Sequence, residues 1–147
     1  MKPIRTMVAF LLLLMASSVA SADISHFSGN WKNVDSNTRG LTTLKIDVKG
    51  TRVRIQAWGR CHPSDCAWGY AEGTAYAPSV ESSLTEAAQA ISTIYLTSFS
   101  QILLIIRPME DGQIEVEMLT KFTDQSGRPN TRRIERLSRV EGDDLKR

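Results

Sequence analysis

The sequence predicts an all-β domain: a small antiparallel up-and-down barrel of about eight strands, with a two-sheet β-sandwich as the structural rival. Three observations predict it. After Asp23 the apolar residues come in short runs separated by turn chemistry, the spacing of a sandwich or a barrel. Several runs alternate with period two, as half-buried strands do: Leu44, Ile46 and Val48; Val53, Ile55 and Ala57; Ile114, Val116 and Met118. The turns between them read as hairpin turns, as at Lys49-Gly50 and Glu110-Asp111-Gly112. Eight antiparallel strands in sequence can close on themselves and so remove their edges.

Residues 1–22 read as an export signal. Lys2 and Arg5 give a positive start, residues 7–15 are apolar, and Ala20-Ser21-Ala22 fits the small-residue cleavage pattern. The apolar run is shorter than the roughly 20 residues that span a bilayer, so cleavage after Ala22 leaves no stable membrane span. The rival reading is an uncleaved anchor. Cleavage leaves 125 of the 147 residues, enough for one domain with a modest core. It also removes Lys2 and Arg5, so 18 basic and 16 acidic residues become 16 of each. A neutral mature chain gives no electrostatic case for nucleic acid. The expected compartment is periplasmic or secreted, where two cysteines favour a disulfide.

The first strand is expected over residues 27–33, followed by a polar loop at 34–40. Strands over 42–48 and 52–58 follow the alternation above. Trp58 falls on the polar side of the second, where it caps a barrel end or is turned inward by a bulge. Residues 68–76 put Trp68, Tyr70 and Tyr76 on one face. Ala71, Gly73 and Ala75 lie on the other, small enough for a narrow interior. Residues 83–90 are expected to form one or two helical turns, with Ser83 as a cap and Glu86, Ala87, Ala88 and Gln89 as helix formers. Strands are expected at 91–98 and 101–107. Ile102 to Ile106 is apolar throughout, which implies cover on both faces. Residues 113–122 alternate most cleanly, and 131–139 form a last strand carrying Ile134 and Leu137. The barrel domain thus spans 23–139, and 140–147 is a charged tail expected to fray.

Residues 58–69 concentrate the chemistry: both cysteines, two of the three tryptophans, and Pro63-Ser64-Asp65 as turn residues. The preferred reading is a hairpin tip pinned by a Cys61–Cys66 disulfide. The alternatives are a metal site formed by Cys61, His62, Asp65 and Cys66, the right donors for zinc or copper, and a redox-active pair. Four ligands from one short loop is awkward, because adjacent residues on an extended chain point apart. His26 and His62 are the only histidines, and neither sits in a nucleophile motif. No enzyme activity and no cofactor are therefore expected.

Gly29-Asn30-Trp31 resembles the Gly-x-Trp signature of lipocalins, avidins and the bacterial metalloprotease inhibitors built on the same calycin barrel. That resemblance implies that Trp31 plugs one barrel end and stacks on an arginine of the last strand, with Arg133, Arg136 and Arg139 as candidates. The chain is also similar to a group of uncharacterised exported bacterial proteins. They share Asn-Val-Asp-x-Asn-Thr-Arg-Gly, here residues 33–40, and Cys-His-Pro-x-Asp-Cys-x-Trp-Gly, here residues 61–69. Ala67 departs from the acidic residue expected in those relatives.

The candidate binding residues are Trp58, Trp68, Tyr70 and Tyr76, as aromatics able to line a pocket mouth, with Asp35, Asn37 and Arg39 of the polar loop. The expected function is a non-enzymatic exported binding module that holds a small ligand or a cell-envelope partner. Two alternatives stand beside it. One is a protease inhibitor acting through its N-terminal segment, Asp23-Ile24-Ser25-His26; the other is a structural envelope protein.

Overall fold

The computed structural model describes residues 22–142. The expected signal, apart from Ala22, and the tail from residue 143 lie outside the described residues. The strands are β1 (Gly29–Asn33), β2 (Leu41–Lys49), β3 (Arg52–Gly59), β4 (Cys66–Tyr76), β5 (Ala90–Leu96), β6 (Ser100–Pro108), β7 (Ile114–Phe122) and β8 (Thr131–Val140). Each pairs antiparallel with the next, and β1 pairs with β8, closing a barrel. Closure through the first and last strands leaves one continuous sheet, which overturns the two-sheet sandwich.

Period-two alternation sorts the side chains. Leu44 and Ile46, Val53, Ile55 and Ala57, and Ile114 and Val116 are fully buried. With Trp31, Ile91, Tyr95, Leu104, Ile106 and Leu137 they form one contiguous core, against which Trp68, Ala71 and Ala75 of β4 pack. Every strand therefore contributes inward side chains, and an eight-strand barrel is just wide enough for them to fill. Charges such as Lys45, Asp47, Arg54, Glu72 and Glu115 occupy the opposite positions on their strands, facing outward.

Residues 27–28 are not strand. Ile24–Phe27 is a 3-10 helix, capped where the Asp23 carboxylate accepts from the Ser25 amide (2.7 Å). The three-residue period of this helix puts Ile24 and Phe27 on one face, and both are buried. It closes one end of the barrel above Trp31. The Trp31 indole N–H donates to the Phe27 carbonyl (2.8 Å). Register places Arg139 opposite Trp31, so its guanidinium lies over the indole ring at 4.4 Å. The same guanidinium donates to the His26 and Ser28 carbonyls. Arg139, not Arg133 or Arg136, is thus the arginine that meets Trp31.

His26 lies beside this plug, 6.1 Å from the Phe27 ring and 6.2 Å from the Trp31 ring. Its buried Nε2 has no hydrogen-bond partner among the described residues. Burial, and secondarily the Arg139 charge, holds its pKa below the ordinary 6.5. The unfolded chain accepts a proton that the folded chain resists. This contribution to stability is therefore complete above about pH 6.5, and it is lost as pH falls through the depressed folded value. Urea midpoints measured between pH 7.5 and 5 should fall toward acid, and His26→Gln should flatten that slope. An unchanged slope in the variant would contradict the assignment.

Other expectations need correction. Of the one or two helical turns expected at residues 83–90, a single turn forms: the Ser83 carbonyl accepts from the Glu86 and Ala87 amides (3.3 and 3.0 Å). Ala88 then bridges Ala22, and β5 begins at Ala90, so pairing overrides helix propensity. Cleavage after Ala22 would remove that bridge. Ile102 to Ile106 is not covered on both faces. Ile102, Leu104 and Ile106 are buried, whereas Leu103 and Ile105 on the outer wall are only partly buried. Val140 is not tail; it ends β8 opposite Asn30.

Candidate functional site

The end opposite the Trp31 plug gathers the β1–β2 loop (residues 34–40), the Cys loop, the β5–β6 turn and the β7–β8 loop. Gly59 pairs with Cys66, which sets the two cysteines across the tip of the β3–β4 hairpin. Their Cα atoms lie 5.5 Å apart, and Cys61 and Cys66 are joined by a disulfide. The sulfurs that the metal alternative needs are bonded to each other. His62 Nδ1 donates to the Cys61 carbonyl (2.8 Å), and Asp65 faces Arg60 at 3.5 Å. Cross-linking so short a loop should stabilise by about 2 kcal/mol or less. The paired substitution Cys61→Ser with Cys66→Ser should therefore leave a folded barrel in denaturant titration. Thiol titration of the denatured, unreduced protein should find no free thiol; two free thiols would contradict the bond.

The bulge expected near Trp58 exists, but it lies in the neighbouring strand. Ala57 and Trp58 of β3 face Gly69 and Ala67 of β4, so Trp68 is the extra residue. Trp58 stays on the outer wall. Trp68 turns inward, with its ring edge-on to Tyr95 at 5.5 Å. Gly59 makes room for it, since a Cβ there would meet the Trp68 ring at 2.7 Å. Trp68 therefore does not share a face with Tyr70 and Tyr76. Tyr70 is 50% exposed under the Arg54 guanidinium. Tyr76 lies at the other barrel end, bonded to Ser92 at 2.9 Å. The four aromatic candidates do not line one mouth.

The polar candidates do come together. β1 ends at Asn33, opposite Leu137, while β8 begins six residues earlier at Thr131. The last ladder bond runs from the Val34 amide to the Arg136 carbonyl (3.0 Å). Beyond it the polar loop stands against the first half of β8. Asp35, Asn37, Thr38 and Arg39 thus share a cleft of about 410 Å³ with Arg133, Ile134 and Glu135. The loop is held by its own side chains. Asn33 Oδ1 accepts from the Asp35 amide (2.8 Å), Asp35 Oδ1 from the Asn37 amide (2.9 Å), and Thr38 Oγ1 from the Gly40 amide (3.1 Å).

Glu135 and Arg60, which sequence reasoning missed, pin the loop from two sides. The Glu135 carboxylate accepts from Thr38 Oγ1 (3.0 Å) and from Asn33 Nδ2 (3.0 Å). Gly40 permits this approach, because a Cβ there would sit 2.8 Å from Glu135 Oε1. Arg60 donates to the Ser36 carbonyl (2.7 Å) and the Thr38 carbonyl (3.2 Å), tying the loop to the Cys hairpin. Both acidic groups of the cleft are thereby engaged: Asp35 in the loop turn, Glu135 in the loop anchor. Arg39 and Arg133 are exposed and make no ion pair among the described residues. The cleft presents two available guanidinium groups above a fixed polar floor.

The segment that an inhibitor would insert is tied to the closed end. The Ile24 amide donates to the Thr85 carbonyl (3.0 Å), and the Ile24 side chain is 3% exposed. Neither a family model, nor a curated protein, nor a solved structure matches this chain.

Proposed function

We propose that the protein is an exported, non-catalytic binding module whose recognition site is the cleft between the β1–β2 loop and β8. Its ligand is a polar cell-envelope component carrying an anionic group, such as a carboxylated wall glycopeptide. The observation that carries this reading is the pairing of free Arg39 and Arg133 guanidiniums in a cleft whose loop is already braced. Guanidinium groups bind carboxylates through paired, charge-assisted hydrogen bonds. A pre-braced loop also loses little conformational freedom when a ligand binds. The disulfide supports an oxidising compartment, periplasmic or secreted. Trp31 with Arg139 supports the calycin-like reading. Inward side chains from every strand form one contiguous core, which favours a site at the open barrel end over a hollow calyx.

Calorimetric titration with muramidase-released wall glycopeptides tests the proposal. Wild type should bind, and Arg133→Ala should weaken binding by at least about tenfold, the scale for losing a charged hydrogen bond. Because Arg133 is exposed, its melting temperature should not change. Equal binding by wild type and Arg133→Ala would overturn the site.

A further inference from the structure

The outer wall of β5, β6 and β7 carries an apolar face that the cleft does not explain. Register sets Ile94 opposite Leu103 and Leu103 opposite Leu119, one row across three strands. Ile105 continues it along β6. The row runs to the β5–β6 hairpin tip, where Leu96 is 78% and Phe99 46% exposed; Ile94 is 49% exposed. Leu103 and Leu119 also floor a groove of about 450 Å³ rimmed by Gln101, Lys121, Asn130 and Arg132. Adjacent outward apolar side chains of this kind mark an interaction surface, unlike singly scattered ones.

Charge and hydrogen bonding indicate what covers it. Four cations border the face: Arg107, Lys121, Arg128 and Arg132. Glu72 and Glu115 border it from β4 and β7, and two further carboxylates are neutralised within it. Glu117 is held by Arg107 (3.1 Å) and Arg132 (2.6 Å), and Asp124 by Arg128. Arg128 also lies over the Phe122 ring at 4.0 Å and the Phe99 ring at 5.6 Å. The face therefore carries both signs around an apolar centre, and at its tip end Lys121 makes no ion pair among the described residues. The tip, meanwhile, pairs part of its own backbone. The Thr97 amide donates to the Ser100 carbonyl (2.8 Å), and the Phe99 and Ser100 amides donate to Thr97 Oγ1 (3.3 and 2.9 Å). The Phe99 carbonyl accepts from the Thr123 amide (2.9 Å). Such a tip can enter an apolar medium without stranding these groups.

We propose that this face docks the protein peripherally on an anionic lipid bilayer. Leu96 and Phe99 enter the interface, and Lys121, Arg128 and Arg132 meet the headgroups. The proposal is independent of the cleft and of its ligand. Vesicle flotation of the exported chain tests it, with phosphatidylcholine vesicles that contain or lack phosphatidylglycerol. The chain should float with the anionic vesicles at low salt, stay behind with pure phosphatidylcholine, and be released at high salt as the charges are screened. Leu96→Asp and Lys121→Glu, both at exposed positions, should melt like wild type. Each should lower vesicle partition by about tenfold. No flotation with anionic vesicles, equal flotation with both, or undiminished flotation of Leu96→Asp would overturn the proposal. So would a dimer in sedimentation equilibrium that Leu96→Asp dissolves, which would assign the face to a second copy.

Discussion

Trp31→Ala should destabilise the barrel by about 3–5 kcal/mol, the range for truncating a large aromatic in a packed core. Three losses coincide at this position. The fully buried indole leaves a cavity beneath the 3-10 helix. The Phe27 carbonyl loses its indole donor. The Arg139 guanidinium loses the ring beneath it, although its bonds to the His26 and Ser28 carbonyls keep it in place. Trp31→Phe should cost clearly less, since it restores most of the volume and loses chiefly the hydrogen bond. Urea titration of both variants checks this. A loss below about 1 kcal/mol for Trp31→Ala would mean that the residue is no plug.

Leu104→Ala should cost about 2–5 kcal/mol, while Leu103→Ala, one residue away, should change stability by about 1 kcal/mol or less. Leu104 is fully buried in the middle of the core cluster, and its neighbour points to the outer wall. The contrast is a direct reading of side-chain alternation on one strand. Similar costs at both positions would contradict the placement of β6 as a strand with one inward face.

The eight strands were legible because alternation and turn residues agree along most of the chain. Where they did not, the sequence carried only half of the information. Five consecutive apolar residues from Ile102 to Ile106 cannot reveal which face lies inward; pairing with β5 and β7 decides it. The Trp68 bulge is similarly a property of two strands, since one strand alone does not show which residue its partner skips. The polar loop was recognisable as a candidate from Asp35, Asn37 and Arg39. Its partners on β8 were not, although a signal existed. Ile134 and Leu137 are three apart and cannot share a face of one strand. Leu137 points in and Ile134 out. Arg133 and Glu135 consequently fall on the inward face, at the open end.

The central claim is that recognition occurs at the cleft between the β1–β2 loop and β8, at the open barrel end, and not in the barrel interior. Amide chemical-shift mapping during titration with wall glycopeptides tests it most directly. The account predicts shifts confined to Asp35, Asn37, Arg39 and their neighbours in the loop, and to Arg133, Ile134 and Glu135 on β8. Shifts centred on Ile55, Ile91 and Leu104 in the interior, with the cleft unperturbed, would contradict it.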